Sequence, residues 1–232
     1  MNLPPEQCRE AGQAGLLHDI GKALMPSEVL NKPGKLTDGE FAVMKTHPER
    51  GHELLVEGRG AGAMALDVCL HHHERVDGTG YPHRLSGDAF GLHARMGAVC
   101  DVYDAITSNR PYKAGWDPAE SVAKMASWKG HFDEAVFAAF VRSIGIYPTG
   151  SLVRMASGRL GVVVEQNPEQ LAAPVLKLFY STKASMPFAP VRLDLARDAT
   201  SDRIVGRESP ERWGFKNLDD LWLDPDLRKA SK

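Results

Sequence analysis

Three consecutive histidines, His71, His72 and His73, stand before Glu74 and a glycine-spaced turn that ends Gly78-Thr79-Gly80-Tyr81-Pro82. Imidazoles and carboxylates are costly to bury unpaired, so this string does not suit an ordinary core helix. Partners for it stand elsewhere in the chain: His18-Asp19 within LLHDIGK, His47 within MKTHPE and Asp101 within AVCDVYDA. Each sits at the polar edge or end of an apolar, helix-like run. Four helices could therefore aim imidazoles and carboxylates into one pocket. Such a mixture suits iron, manganese or zinc better than calcium or magnesium. With two cations bound, it would suit hydrolysis of a phosphodiester, in which a shared carboxylate bridges ions about 3.5 to 4 Å apart.

The elements that must position these groups can be read in order. Pro4-Pro5-Glu6 starts a helix with Ala11, Ala14, Leu17 and Ile20 at near-helical spacing, and His18 and Asp19 fall in its last turn. Neighbouring helical residues project about 100° apart, so both can serve one centre only if the helix ends or bends there, which Gly21 and Pro26 allow. A polar connector with one helical turn at Ser27 to Asn31 follows. Thr37-Asp38-Gly39-Glu40 has capping-box spacing and opens a helix that delivers His47 just before Pro48. Residues 51–56 continue as a further helix, 63–73 form the helix bearing the histidine run, 74–92 a long Gly/Pro loop, and 93–108 the helix bearing Asp101 and Asp104. Two amphipathic helices are expected near 118–128 and 133–144.

Beyond Pro148 the pattern changes. Residues 151–155 and 159–166 flank a Ser-Gly turn as a β-hairpin, 174–181 and 190–195 alternate as half-buried strands, 202–206 is a weaker strand and 216–223 a closing helix. The expected fold is mainly α, a helical bundle over residues 1–147, with a small β-rich appendage over 148–232 whose core is Trp213, Phe215 and Trp222.

In their order and spacing, HDIGK, the stretch 26–37, His47-Pro48, His72-His73-Glu74 through Gly80-Tyr81-Pro82, Asp101-Val102-Tyr103-Asp104-Ala105 and Arg110-Pro111-Tyr112-Lys113 resemble the HD-GYP family, a branch of the HD-domain metal-dependent phosphohydrolases. The resemblance covers roughly residues 5 to 145. It implies an HD-domain bundle and two transition-metal ions, iron or manganese first and zinc as an alternative. His18 and Asp101 would hold one ion, His47, His72 and His73 the other, and Asp19 would bridge them. His71 is an extra imidazole, for which a supporting or packing role is the simpler reading. Lys22, one turn past the ligands, would meet the scissile phosphate. Gly80 and Tyr81 would contact substrate, Tyr81 by stacking on guanine or bonding a phosphate. Arg110 and Lys113 would hold the other phosphate, where solvated loop charges are the plain alternative.

The activity so implied is bacterial second-messenger signalling by a phosphodiesterase that opens cyclic di-GMP to linear pGpG through a metal-bound hydroxide, with GMP as a candidate second product. Two alternatives stand beside it: a non-catalytic module that binds cyclic di-GMP or docks partners through the Gly-Tyr-Pro loop, and a phosphohydrolase for another nucleotide. The family uses that loop to meet GGDEF-type proteins. Its first metal-site helix is usually preceded by another, so this chain reads as a fragment or the product of an internal start, open to dimerisation through an uncovered face.

Composition sets outer bounds. With 43% apolar residues in 232 and a formal charge of −2, the chain can bury a large core and carries no basic tract suited to nucleic acid polymer. Cys8, Cys69 and Cys100 are widely spaced within apolar runs and read as reduced core thiols of a cytoplasmic protein. No apolar run approaches the roughly 18 residues of a membrane span, and no signal-peptide pattern is present.

Overall fold

The computed structural model describes residues 3–108, 115–116, 118–198 and 202–222. They divide into two compact units, Met1–Trp116 with Glu120–Phe140, and Asp117–Ala119 with Val141–Lys232. No helix among the described residues is long and apolar enough to cross a membrane.

In the first unit, α1 (Pro5–Leu17) begins with proline in its first turn and stops one residue before His18. Its single buried residue, Ala14, packs with Ala65 and Val68 of α5 (Ala63–His71), and these small side chains let the two helices approach closely. His18 and Asp19 form the turn between α1 and a 3-10 helix, Ile20–Leu24. This is the break that the HD pair requires. After α2 (Ser27–Leu30), Thr37 and Glu40 make the reciprocal capping box at the start of α3 (Asp38–Met44). His47 opens α4 (His47–Gly58) rather than closing the helix before it, and the helix expected from Gly51 is the continuation of α4. Pro48 explains the shift, because proline is favoured in a first helical turn.

The loop after α5 leads to α6 (Leu92–Thr107), and α7 (Pro118–Ala126) and α8 (Glu134–Ile144) follow. Val99 of α6, Met125 of α7, and Phe132 and Val136 around the start of α8 form the apolar cluster that joins these helices.

Glycines set the closest approaches. A Cβ on Gly21 would lie 1.9 Å from the His47 carbonyl oxygen and 2.6 Å from the Gly51 nitrogen, and one on Gly51 would meet Cys69 Sγ at 2.8 Å. The 3-10 helix therefore lies directly on α4, with α5 beneath. On α6, a Cβ on Gly97 would come within 3.1 Å of Val68 Cγ1.

The second unit is an antiparallel sheet in the order β4-β3-β2-β1-β5, formed by β1 (Leu152–Met155), β2 (Arg159–Glu165), β3 (Val175–Ser181), β4 (Met186–Asp194) and β5 (Ile204–Arg207). Val153, Val163 and Leu176 belong to one buried cluster, and Leu152, Leu160 and Val162 to another that Trp213, Phe215 and Trp222 cover. It is more than the small appendage expected, since five strands carry two separate apolar clusters. The half-buried alternation read at 190–195 is not found: β4 starts at Met186 and is mostly exposed, as an edge strand with one hydrogen-bonded neighbour can be. Helix α9 (Asp219–Trp222) is shorter than the stretch read for it.

Of the cysteines, only Cys69 is a core residue, whereas Cys8 and Cys100 are exposed. Apolar neighbours in sequence misled here, because a helix turns adjacent residues to different faces.

Gly21→Ala is expected to cost at least about 2 kcal/mol in urea unfolding, because a backbone-on-backbone contact must open. Gly12→Ala, where an added Cβ meets nothing within 4 Å, is expected to hold or gain stability by about 0.5 to 1 kcal/mol. Equal midpoints for the two variants would contradict this packing.

Candidate metal centre

Six of the residues singled out in the sequence come together. Asp19, His47, His72 and His73 each offer a ligand atom, all within 4.8 Å of one another, and His18, Asp19 and Asp101 form a second such group. Asp19 belongs to both. Its Oδ1 lies 3.2 Å from His47 Nε2 and 3.6 Å from His72 Nε2, and its Oδ2 lies 3.2 Å from His18 Nε2. His18 Nε2 is also 3.6 Å from Asp101 Oδ1, and His73 Nδ1 is 3.7 Å from Asp101 Oδ2.

The other ring nitrogens decide what these atoms can do. His18 Nδ1 donates to the Gly15 carbonyl at 2.6 Å, His47 Nδ1 to that of Met44 at 2.8 Å, and His72 Nδ1 to those of Val68 and Cys69 at 3.0 Å. A carbonyl only accepts, so each Nδ1 carries hydrogen and each neutral ring turns the Nε2 lone pair inward. The Nε2 atoms of His47 and His72 then face each other at 3.4 Å. Two lone pairs at that distance repel unless a cation lies between or beside them. His18 Nε2 and Asp19 Oδ1 are buried atoms without a hydrogen-bond partner. Inward lone pairs, outer N–H groups tied to backbone carbonyls and unsatisfied buried oxygen are the features of a divalent-cation site, and the donor set fits one.

Electrostatics agree. The Asp101 and Asp19 carboxylates raise His18 to about 10 against the opposing effect of burial, so without metal a proton takes the cation's place. Burial works to raise Asp19, yet its hydrogen bonds, led by that from protonated His18 and including that from Lys22, hold it well below the usual carboxylate range. For Asp101, burial is likewise outweighed, chiefly by the hydrogen bond from His18. Burial and then the neighbouring His72 push His73 down to about 2, leaving it the neutral imidazole that a metal ligand must be.

Lys22 Nζ bonds Asp19 Oδ2 and is no free cation. His71 turns away, its Nδ1 2.7 Å from Asp67 Oδ1 and its Nε2 3.4 Å from His83 Nδ1, and belongs to neither ligand group. Arg110 and Lys113 lie outside the described residues.

A family model described as HD domain matches residues 1–136. The chain belongs to the HD domain family. It is 56% identical over 222 residues to "Cyclic di-GMP phosphodiesterase PA4108" of Pseudomonas aeruginosa, an alignment covering 96% of this chain and 54% of that protein. It is 45% identical over 145 residues to "Cyclic di-GMP phosphodiesterase response regulator RpfG" of Xanthomonas campestris, covering 61% of this chain and 38% of that one. A solved structure, Bd1817, a HDG"Y"P protein from Bdellovibrio bacteriovorus, aligns at 21% identity with a TM-score of 0.49 over 58% of this chain and 43% of that one. The chain thus spans about half the length of the first of these relatives.

Beside the HD pair and its cluster lies a cavity of about 810 Å³ with His72, His73 and Tyr81 among its lining residues. Tyr81 stacks on His73 with ring centroids 4.6 Å apart and 28° between planes. Burial, then the charges of Asp101 and Asp19, raise the Tyr81 phenol, which stays a donor. Lys45, Arg75 and Arg84 also line this cavity. Neither Lys45 nor Arg84 stood out in the sequence, although each lies only two residues from a motif.

Glu74 holds the HD domain's Gly-Tyr-Pro loop. Its side chain is buried and accepts the backbone N–H of His83 at 2.6 Å and of Leu85 at 3.0 Å. A Cβ on Gly80 would lie 2.5 Å from the Arg75 nitrogen, which keeps the loop folded back on its own start. Glu74→Ala leaves those two N–H groups without their acceptor, at a cost of about 1 to 3 kcal/mol each if they stay buried. Amide exchange at His83 and Leu85 is expected to quicken at least ten-fold while that of α6 stays unchanged; unaltered exchange in the loop would contradict the bracing role.

Proposed function

We propose that this chain carries the catalytic domain of a cyclic dinucleotide phosphodiesterase that opens cyclic di-GMP to linear pGpG, with GMP the product of a second cut. The observation that carries the reading is the convergence of the His18, His47 and His72 Nε2 atoms on the two oxygens of Asp19. In this reading His18, Asp19 and Asp101 hold one ion, Asp19, His47, His72 and His73 hold the other, and the ions are iron or manganese, with zinc the competitor. Divalent cations held there supply a water acidic enough to ionise near neutral pH and neutralise charge on the phosphate.

The chain's own residues do the rest. Asp19 turns a separate oxygen to each imidazole set, as a bridging carboxylate must, and Lys22 fixes its orientation by holding Oδ2. Tyr81, on the cavity wall and protonated, can donate to a non-bridging phosphate oxygen. Lys45, Arg75 and Arg84 offer positive charge to a ligand with two phosphates, in a cavity within the range of about 300 to 1,000 Å³ usual for small-molecule sites. Water adds to phosphorus as the P–O3′ bond breaks, leaving the 5′-phosphate of pGpG on one product end and a free 3′-hydroxyl on the other. The names of PA4108 and RpfG support cyclic di-GMP as the first substrate to test.

Elemental analysis of anaerobically purified, Mn(II)-loaded protein is expected to give about two ions per chain, about one in His18→Ala or His72→Ala, and none in Asp19→Ala. Chromatography of a cyclic di-GMP reaction is expected to show pGpG with the wild type and a loss of at least about 10³-fold with Asp19→Ala. Two bound ions without any pGpG would count against this substrate.

A further inference from the structure

The cavity over His72 and His73 continues past the metal ligands. A second recess of about 430 Å³ is lined by Arg75, Asp77, Trp128, Lys129 and His131. Arg75 and His131 also line the first cavity, so the two recesses meet at these side chains. The junction is built by backbone. Val76 N–H donates to the His131 carbonyl at 3.4 Å and Asp77 N–H to that of Gly130 at 2.9 Å, which docks the turn after α7 onto the loop after α5. Gly130, at φ 72°, permits the approach, since a Cβ there would lie 2.9 Å from Asp77 Cβ.

The docked turn presents an aromatic wall flanked by cations. The Trp128 and His131 rings stack at 5.3 Å and 25°, and His131 stacks in turn on Phe132 at 4.3 Å and 28°. Phe132 belongs to the core, whereas Trp128 is half-buried and lines the recess. Burial and the Arg75 charge push His131 down to about 4, so near neutral pH it extends the aromatic surface without adding charge. Lys129 is exposed at the end of this wall.

The metal cluster can act on only one phosphodiester at a time. A cyclic dinucleotide cut there must keep its other phosphate, and at least one base, in another part of the cleft. An aromatic face beside flexible cations holds nucleotides without needing a fixed hydrogen-bond pattern. Resting on the phosphodiesterase reading, we infer that the Trp128 shelf is the subsite for the distal nucleotide: the indole stacks on its base, while Lys129 and Arg75 neutralise the uncut phosphate.

The test compares kcat and KM of the Mn(II)-loaded chain for cyclic di-GMP and for bis(p-nitrophenyl) phosphate, a diester without a nucleobase. In Trp128→Ala, the kcat/KM ratio of cyclic di-GMP to the small diester is expected to fall roughly ten-fold through KM, the loss of one base–aromatic stack, and Trp128→Phe should restore most of it. Lys129→Glu, at an exposed position, should raise KM for cyclic di-GMP about three-fold or more, an effect that shrinks as salt screens it. Unchanged KM in both Trp128→Ala and Lys129→Glu would overturn the subsite. So would equal losses on both substrates in Trp128→Ala with Trp128→Phe and Lys129→Glu at wild-type values, because Trp128 would then serve packing alone. A wild type that cleaves the small diester and never cyclic di-GMP would bring down the cyclic di-GMP reading, and the subsite with it.

Discussion

A contact that only glycines permit underlies the His/Asp cluster. Gly21 lies so close to His47 and Gly51 that no side chain fits at either glycine, and Cys69 of α5 also closes on Gly51. The backbone leaving Asp19 is thereby pressed onto the first turns of α4. Asp19 and His47 become neighbours although 27 residues lie between them in sequence. The Ala14 contact fixes α1 on α5, and the Gly97 approach fixes α6 on the same helix, so His18, His72, His73 and Asp101 meet at one point. Three tight helix contacts convert distant dipeptides into one ligand set.

The second constraint is electrostatic. The backbone carbonyls of Gly15, Met44, Val68 and Cys69 fix the orientation of three imidazoles and leave their lone pairs facing a carboxylate. This arrangement is favourable only with positive charge at its centre, which a proton on His18 supplies in part and a divalent cation supplies fully. His71 shows the contrast within the same run of histidines. Its outer partner is the Asp67 carboxylate, it points to His83, and it supports the loop side of α5 instead of the cluster.

Much of this was legible in the sequence because the informative features are local. The Thr37 capping box, a break at the HD pair and the position of the Gly-Tyr-Pro loop follow from residue chemistry over a few positions, and the motif order picked out the six residues that cluster. What could not be read depends on which side chains face one another across a cleft. Lys22 pairs with Asp19, Lys45 and Arg84 reach the cavity wall, and Trp128 reaches the loop through a turn some 50 residues downstream. The exposure of β4 was illegible for a similar reason: alternation suggests a strand but does not say whether it will lie at an edge.

On the proposed function, Asp19 joins two ions into one centre. Electron paramagnetic resonance of the chain loaded with two equivalents of Mn(II) tests it directly. Two ions sharing the Asp19 carboxylate, about 3.5 to 4 Å apart, are expected to give an exchange-coupled spectrum that reverts to an isolated six-line signal in Asp19→Asn. An isolated six-line signal from the wild type at two bound equivalents would contradict the bridged centre.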